Sequence, residues 1–442
     1  MIRFLQISDI HFSDTQGSSD GYRQMKCKFM ENLADCKNNL GKIDYVLICG
    51  DIAFSGQDSQ YKEARQFISE ICKKVGCKEE NVFVVPGNHD KKREVYGRAR
   101  SIMKDALIKE KNNINIKQLI DSKVKEPMAI GILYAPFKQY YKLAAYYSCI
   151  SDIARKAALL PESNQRGEVP KFESNDEMYW KEQLGEINGF NITLFGSNTS
   201  LLSDQYDGES QHLEDGQHLQ VLPLQAYNVQ AKSNEINILM LHHPMTEIYD
   251  GENVGKVIDG LFKVQLYGHM HRQSSICENA VKIYSGALQP PKNEENCDYF
   301  PVYNVIELDV VDDEGTPCLK VTLFSRKWNG MEFVEYNEET KTGEDALRLR
   351  LPHNDAWERT MERVRKGEQY MGKEKMETTI STHVVKHAFL KSEKAQKIIK
   401  ELYDNQFDNI SPNRIKYLYF LKQVEIDGKF GELNELLKKY GK

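Results

Sequence analysis

Five short segments of the sequence contain most of its histidines, together with three aspartates and one asparagine. These are Asp9-Ile10-His11, Gly50-Asp51, Gly87-Asn88-His89-Asp90, His242-His243-Pro244 and Gly268-His269-Met270-His271. Six of the 11 histidines of the chain lie in these segments, and no cysteine does. Imidazole together with carboxylate oxygen suits Mn, Fe, Zn or Ni, whereas a thiolate site needs cysteine. The residue types therefore predict a metal centre.

The spacing within two of the segments supports the same chemistry. Asp9 and His11 are two residues apart, and so are His269 and His271. In an extended chain, side chains two residues apart point to the same side. We therefore expect each pair to direct both of its side chains to one side of the chain.

A short apolar run precedes each segment and indicates a β-strand. In the first 90 residues these runs alternate with helical patterns at Tyr22–Asn39 and Ser59–Lys74. This alternation is typical of βαβ units and a largely parallel sheet. The carboxyl ends of parallel strands open into one crevice, where we expect the segments to converge. Each segment taken alone also fits a turn or a core position, but the order and placement of all five favour a joint site.

The five segments resemble the motifs of the calcineurin-like metallophosphoesterases, on their phosphodiesterase and nuclease side. That family's pattern is DxH, GDxx, GNH(D/E), a later histidine and GHxH, and every position is present between Asp9 and His271. The resemblance implies an α/β (α+β) fold, a two-layer β-sandwich flanked by helices, completed by strands up to about Trp328. It also implies a hydrolase that acts on phosphoric ester bonds.

The resemblance assigns a role to each motif residue. It implies one ion held by Asp9, His11 and His271, a second held by Asn88, His242 and His269, and Asp51 bridging the two. His89 would contact the phosphate or the leaving group instead of a metal. The cofactors would be two divalent ions, with Mn expected first and Fe, Zn or Ni as alternatives. Hydroxide formed from metal-bound water would be the nucleophile.

The second motif indicates which branch of the family is the nearest. In the Ser/Thr phosphoprotein phosphatases this motif resembles GDxVDRG, but here Phe54 and Ser55 occupy the Asp and Arg places. The third motif ends in Asp90 instead of Glu. These departures favour a phosphodiester of a nucleotide or nucleic acid as substrate. Two alternatives are a phosphomonoesterase acting on a small molecule or phosphoprotein, and a binding scaffold without catalysis.

Three further residues are candidates for substrate contact, each with a structural alternative. Arg93 follows the third motif and either grips a phosphate or lies on a solvated helix start. His243 is either a hydrogen-bond donor behind the metal ligands or a buried polar residue. Asn198 follows another strand-like run, and there the structural interpretation is favoured over the crevice.

The pattern of elements predicts four regions within the 442 residues. Residues 1–90 and 189–330 would form the catalytic core, and residues 91–188 a helical insertion or cap within it. Residues 331–352 would be a linker, followed by a C-terminal helical module at 353–442. The net charge is −6, but the C-terminal module carries +4 and the remainder −10. The module would either recruit a protein partner or nucleic acid, or pack on the core and add only stability.

Cysteine usage and hydropathy bear on location. The nine cysteines show no disulfide framework, which predicts reduced thiols and a cytoplasmic protein. The sequence has no apolar run of about 18 residues, so no membrane span is expected. Met1–Ile7 is predicted to be a buried strand and not a secretory signal.

Overall fold

A computed structural model defines most of the chain. It describes residues 1–13, 20–102, 127–158, 176–203, 220–222, 229–249, 251–289, 300–365, 382–404, 406–407 and 413–440. The strands, in chain order, are β1 (Ile2–Ile7), β2 (Tyr45–Cys49), β3 (Val82–Val85), β4 (Tyr179–Ile187), β5 (Phe190–Ser197), β6 (Glu235–Met240), β7 (Val264–Tyr267), β8 (Ser274–Cys277), β9 (Val281–Tyr284), β10 (Val302–Asp313), β11 (Thr316–Trp328), β12 (Phe333–Glu335) and β13 (Leu347–Arg350).

The strands form two sheets. A seven-stranded sheet has the order β12-β11-β10-β1-β2-β3, with β13 also paired to β11. A six-stranded sheet has the order β4-β5-β6-β7-β9-β8. The pairs β1–β2, β2–β3, β5–β6, β6–β7 and β7–β9 are parallel. The βαβ arrangement predicted for the first 90 residues is thus confirmed for β1, β2 and β3, which form one end of the seven-stranded sheet.

The two sheets pack face to face, as the predicted two-layer sandwich requires. The Gln6 side chain on β1 donates to the carbonyls of Tyr267 and Ile283, both 3.4 Å away in the other sheet. At one edge the Tyr45 hydroxyl donates to the Leu184 carbonyl at 2.7 Å. These polar side chains are buried because the opposite layer supplies their partners.

Helices cover the outer faces of the sandwich. In chain order they are α1 (Asp20–Leu40), α2 (Asp58–Val75), α3 (Pro127–Tyr134), α4 (Lys138–Tyr146), α5 (Asp152–Ala157), α6 (Gly251–Leu261), α7 (Asp355–Arg365), α8 (Thr382–Lys391), α9 (Ala395–Tyr403), α10 (Asn413–Ile426) and α11 (Phe430–Tyr440). Helix α2 buries Tyr61, Ala64 and Ile68, whose spacing defines one helix face. It ends at Gly76, whose φ of 74° suits a left-handed C-cap.

The region predicted as a helical insertion, residues 91–188, contains helices and also a strand. Helices α3, α4 and α5 lie in it, but its last residues form β4, which pairs antiparallel with β5. Trp180, Glu182 and Leu184 on β4 are buried, whereas Lys181 and Gln183 between them are exposed, an alternation typical of a strand in a sheet. Of the helix expected at Gly97–Lys111, residues 97–102 are helical, and the rest of that range lies outside the described residues.

The prediction that residues 331–352 form a linker is wrong. β12 and β13 both pair antiparallel with β11, so this segment belongs to the seven-stranded sheet. Leu347 and Leu349 alternate with arginines and pack against the main core. Strands of three or four residues have too few alternating positions to stand out in a sequence, and here pairing with a long neighbour stabilises them.

The C-terminal module begins later than residue 353. Helix α7 packs on the sandwich, because Trp357 is buried in the main core and its ring lies 6.3 Å from that of Phe190. The helices from α8 onward share a separate apolar cluster that includes Phe389, Ile398 and Phe420. This cluster contacts the core through ion pairs, among them Lys391 with Glu79 at 3.1 Å.

Substitution of Trp357 by alanine should destabilise the sandwich. Loss of a large buried aromatic side chain costs about 3–5 kcal/mol, and Trp357 is 2% exposed. We expect a lower urea midpoint for the main unfolding transition, followed by circular dichroism. Val364→Ala on the same helix is the control, since Val364 is 47% exposed. Equal midpoints for Trp357→Ala and the unsubstituted protein would show that α7 is not part of the core.

Two simpler expectations concern membranes and disulfides. Among the described helices, none is both long enough and apolar enough to cross a membrane. The cysteines in the described part of the chain are all free, in agreement with the absence of a disulfide framework from the sequence.

Candidate metal centre

The five predicted segments lie together at one end of the sandwich. They follow β1, β2, β3, β6 and β7 directly, as expected from their placement in the sequence. The two sheets meet here, since His242 Nδ1, after β6, donates to the carbonyl of Cys49, at the end of β2, over 2.8 Å. The strand ends that form the site therefore come from both layers of the sandwich.

The first group of predicted ligands is Asp9, His11 and His271. His271 Nε2 lies 3.2 Å from Asp9 Oδ1, and the rings of His11 and His271 have centroids 5.6 Å apart. The ligand atoms of all three residues lie within 4.8 Å of one another. This spacing allows a single cation to contact all three.

The second predicted group is Asn88, His242 and His269. His242 Nε2 lies 3.0 Å from Asn88 Oδ1 and 3.3 Å from His269 Nδ1. His242 is fully buried. A buried amide oxygen and two imidazole nitrogens thus face one point.

Asp51 lies between the two groups. Its Oδ2 is 3.3 Å from His11 Nε2 in the first group and 3.5 Å from His242 Nε2 in the second. Its Oδ1 accepts a hydrogen bond from the backbone nitrogen of His89 at 2.7 Å. One carboxylate in contact with both groups is the arrangement that a bridging ligand needs.

The outer nitrogens of three histidines have acceptors of their own, which defines their tautomers. His11 Nδ1 faces the Gln289 carbonyl at 3.2 Å, His242 Nδ1 the Cys49 carbonyl, and His269 Nε2 the Glu247 carboxylate at 2.9 Å. When the ring is neutral, its other nitrogen carries a lone pair, and this lone pair points at carboxylate or amide oxygens, which are also acceptors. Acceptors that face one another repel unless a cation lies among them. The donor set therefore fits bound divalent ions.

The electrostatics of the centre favour positive charge. Burial would raise the pKa of Asp9, but the hydrogen bond and charge of His271 outweigh it and hold the pKa at about 2. Burial would lower the pKa of His242, but Asp51 outweighs it and raises the pKa to about 10. The ionised carboxylates that stabilise a proton on His242 are equally suited to a divalent cation.

Most of the predicted ligands have an unusual backbone conformation. The φ angle is positive at Asp9 (53°), His11 (50°), Asp51 (50°), His269 (68°) and His271 (51°). Residues other than glycine rarely adopt this left-handed region, and such strain is concentrated at functional sites. The expected extended chain at Asp9–His11 and at His269–His271 is therefore wrong. Left-handed turns bring these side chains together.

Two motif positions must be glycine because another loop passes too close to leave room for a side chain. A Cβ atom on Gly87 would lie 2.5 Å from the backbone nitrogen of Asp51 and would also overlap its carboxylate. A Cβ on Gly268 would lie 2.9 Å from His242 Nδ1 and overlap the Cys49 carbonyl. The loops can touch only because these positions carry no side chain.

Asp90 ties two of the ligand-bearing loops together. Its carboxylate accepts hydrogen bonds from Ile52 N (3.1 Å), Ala53 N (2.8 Å), Gly87 N (3.0 Å) and the Tyr61 hydroxyl (3.0 Å). Burial, together with the charge of Asp51, raises the pKa of Asp90 to about 6, although the backbone donors lower it. The fourth residue of the third motif thus positions the loop of Asp51 against that of Asn88.

His89, predicted to contact the phosphate, lies at the mouth of the centre. Its ring centroid is 4.9 Å from that of His11, and its Nδ1 donates to the Phe54 carbonyl at 2.9 Å. Burial lowers the pKa of His89, and the charges of His11 and Arg93 lower it further against the effect of Asp51. Arg93 is exposed and lies near enough for its charge to act on His89.

The other two candidates, His243 and Asn198, are both buried, and the ligand atoms of His243, His242 and His269 lie within 4.8 Å of one another. His243 Nδ1 is 2.9 Å from the Thr199 hydroxyl, and its Nε2 has no hydrogen-bond partner in the part of the chain that the structure describes. Asn198 donates to the Tyr141 hydroxyl at 3.2 Å and accepts from Ser200 N at 2.8 Å. Both polar atoms of its amide thus have partners within the protein.

Sequence reasoning missed Glu247. Its Oε2 lies 2.9 Å from His269 Nε2, so it orients that ring from outside the centre. It lies in a short 3-10 turn after the His-His-Pro segment. A single glutamate in such a position carries no signal of its own, because only the fold brings it to His269.

Comparison with known proteins agrees with this site. Residues 2–156 match the family model for calcineurin-like phosphoesterases, in agreement with the predicted resemblance to that family. The chain is 26% identical over 358 residues to the uncharacterized metallophosphoesterase-like protein YydB of Bacillus subtilis (strain 168). That alignment covers 79% of this chain and 63% of YydB, so the chain spans less than two thirds of this relative.

Solved structures with a related arrangement are distant. Purple acid phosphatase PPD1 from yellow lupin is 12% identical, with 80% of this chain and 55% of that chain covered and a TM-score of 0.35. A Vps29 single mutant from Entamoeba histolytica is 10% identical, with 79% and 99% covered and a TM-score of 0.31. Scores this low carry no information on substrate or partner.

Proposed function

We propose that this protein is a binuclear metal-dependent phosphoesterase that hydrolyses phosphodiester bonds of nucleotides or nucleic acid. The observation that carries the proposal is Asp51. Its carboxylate contacts His11 of one ligand group and His242 of the other, at 3.3 and 3.5 Å. A carboxylate shared between two histidine-rich groups suits a pair of ions better than a single one.

The residues of the centre would hold the ions in the two predicted groups. Asp9, His11 and His271 would bind one, Asn88, His242 and His269 the other, and Asp51 both. When bound, two divalent ions neutralise phosphoryl oxygens and lower the pKa of water toward about 7. The donors are imidazole, carboxylate and amide oxygen, with no thiolate among them, which suits Mn, Fe, Zn or Ni, and Mn²⁺ is the metal expected first.

His89 would act on the substrate and not on the metals. The Phe54 carbonyl holds its Nδ1, so Nε2 is the atom that exchanges a proton with the leaving oxygen or hydrogen-bonds the phosphoryl group. Its backbone nitrogen donates to Asp51, which couples the position of the ring to the bridging carboxylate. In this role the ring would lie beside a bound phosphate, and the metal ligands would keep their contacts.

The preference for a diester is supported by what surrounds His89. Phe54 and Ser55 stand where a phosphoprotein phosphatase has an aspartate and an arginine. The exposed Arg93 instead follows His89 by four residues, and we propose that it pairs with a phosphate next to the scissile bond. A substrate with more than one phosphate along its chain fits this distribution of charge.

A substrate panel tests the proposal. With added Mn²⁺ we expect hydrolysis of bis(p-nitrophenyl) phosphate and of single-stranded DNA, RNA or a cyclic nucleotide, and loss of all activity with EDTA. Metal analysis of the purified protein should find two ions per chain. Rapid turnover of phosphopeptides or other monoesters alone would replace the diester by the monoester alternative. Metal binding without hydrolysis of any substrate would favour the scaffold alternative.

A further inference from the structure

Phe54 is an exposed aromatic residue at the edge of the metal centre. Its side chain is 50% exposed, although Ile52 and Ala53 immediately before it are fully buried. Its ring centroid lies 5.3 Å from that of His89, with 35° between the planes, and 6.4 Å from that of His11. An apolar ring therefore borders the point where the phosphoryl group would be held.

The ring of Phe54 is presented by a fixed backbone. Its N–H donates to the Phe12 carbonyl at 2.9 Å, and its own carbonyl accepts from His89 Nδ1 at 2.9 Å. Asp90 holds the two preceding backbone nitrogens, at Ile52 and Ala53. Both backbone polar groups of Phe54 are thus used, and a ligand that covers the ring does not have to order this loop first.

An exposed phenylalanine on an ordinary surface needs no explanation. Here, however, it lies beside a residue proposed to touch the phosphate, with the cationic Arg93 acting on the same histidine. Met270, between His269 and His271, is also 42% exposed and adds a second apolar group to a ligand-bearing loop. A flat apolar surface next to phosphate-binding groups matches a nucleotide, whose base has two π-faces.

We propose that Phe54 determines substrate specificity by stacking on the nucleobase attached to the bound phosphate. This inference rests on the proposed function, since it assumes that the metal centre binds the phosphate. It adds that the base is recognised by its flat face, so purines and pyrimidines are both accepted. Stacking on an aromatic side chain is sequence-tolerant because every base has a π-face.

Direct binding measurements test the role of Phe54 without turnover. The ligands are the phosphonate analogues of adenosine 5′-monophosphate and of ribose 5-phosphate, in which CH₂ replaces the ester oxygen. Both are titrated calorimetrically into the Mn²⁺-loaded full-length protein, its Phe54→Ala and Phe54→Tyr variants, and Ile426→Ala. Ile426 is the matched control, because it is an apolar residue 67% exposed at the end of α10.

We expect the unsubstituted protein to bind the adenosine compound on the order of 10- to 100-fold more tightly than the ribose compound. Phe54→Ala should remove this preference while leaving the ribose compound's affinity within about 2-fold, since the metals still bind its phosphonate. Phe54→Tyr and Ile426→Ala should retain the preference.

Two results would overturn the inference: equal affinity of the unsubstituted protein for both compounds, or a preference that survives in Phe54→Ala. Failure of the proposed function gives a different pattern. A protein that binds the adenosine compound through Phe54 but hydrolyses no phosphoester would leave the stacking site intact and remove only the catalytic proposal.

Discussion

Asp51→Asn should abolish most of the proposed phosphoesterase activity and lower the metal content. Asparagine has nearly the same shape, so the hydrogen bond from the backbone nitrogen of His89 can persist. The negative charge shared by the two ligand groups is lost. Losing several kcal/mol of charge stabilisation in the transition state corresponds to a loss of about 10²–10³-fold in kcat/KM. The measurements are aryl diester hydrolysis with Mn²⁺ and metal analysis of the same sample.

A buried aspartate outside the centre provides the control. Asp259 on α6 pairs with Lys282 at 2.9 Å, so Asp259→Asn also removes a buried charge. It is expected to lower stability while leaving the metal content and the kcat/KM of the folded protein unchanged. Full activity of metal-depleted Asp51→Asn protein would contradict the role given to Asp51.

Gly87→Ala should have a similarly large effect without changing any ligand. The added Cβ would lie 2.5 Å from the backbone nitrogen of Asp51 and overlap its carboxylate, so the Asp51 loop must move. Displacement of catalytic groups by about 1 Å can reduce activity about 10²-fold, and overpacking costs about 1–3 kcal/mol of stability. Both quantities are measurable, by aryl diester hydrolysis and by thermal unfolding of the Mn²⁺-loaded protein.

Gly97→Ala is the matched substitution, because a Cβ at Gly97 meets nothing within 4 Å. It should leave activity unchanged and leave stability unchanged or slightly higher, since alanine is favoured over glycine in a helix. If Gly87→Ala kept normal activity and normal metal content, the contact between the two loops would not be what positions Asp51.

Much of the fold could be predicted from local pattern. The strands β1, β2 and β3 are short apolar runs separated by amphipathic helices, and this pattern by itself specifies parallel pairing. β12 and β13 could not be found in the same way, because residues 331–352 have few alternating positions and are held by β11. Trp357 likewise joins the sandwich through Phe190, a contact between residues far apart in the chain that no local period encodes.

The candidate site, like the fold, has features that the sequence predicts and features that only the tertiary structure shows. The sequence by itself was enough to predict which residues come together at the site, because metal coordination requires particular side-chain types, and the carboxyl ends of parallel strands converge. Only the tertiary structure decided their orientation. The left-handed turns at Asp9 and His269, the Glu247 carboxylate behind His269, and the Phe54 ring beside His89 all depend on loops meeting across the two sheets. Such contacts depend on packing between segments that are distant in the chain, so no local sequence pattern predicts them.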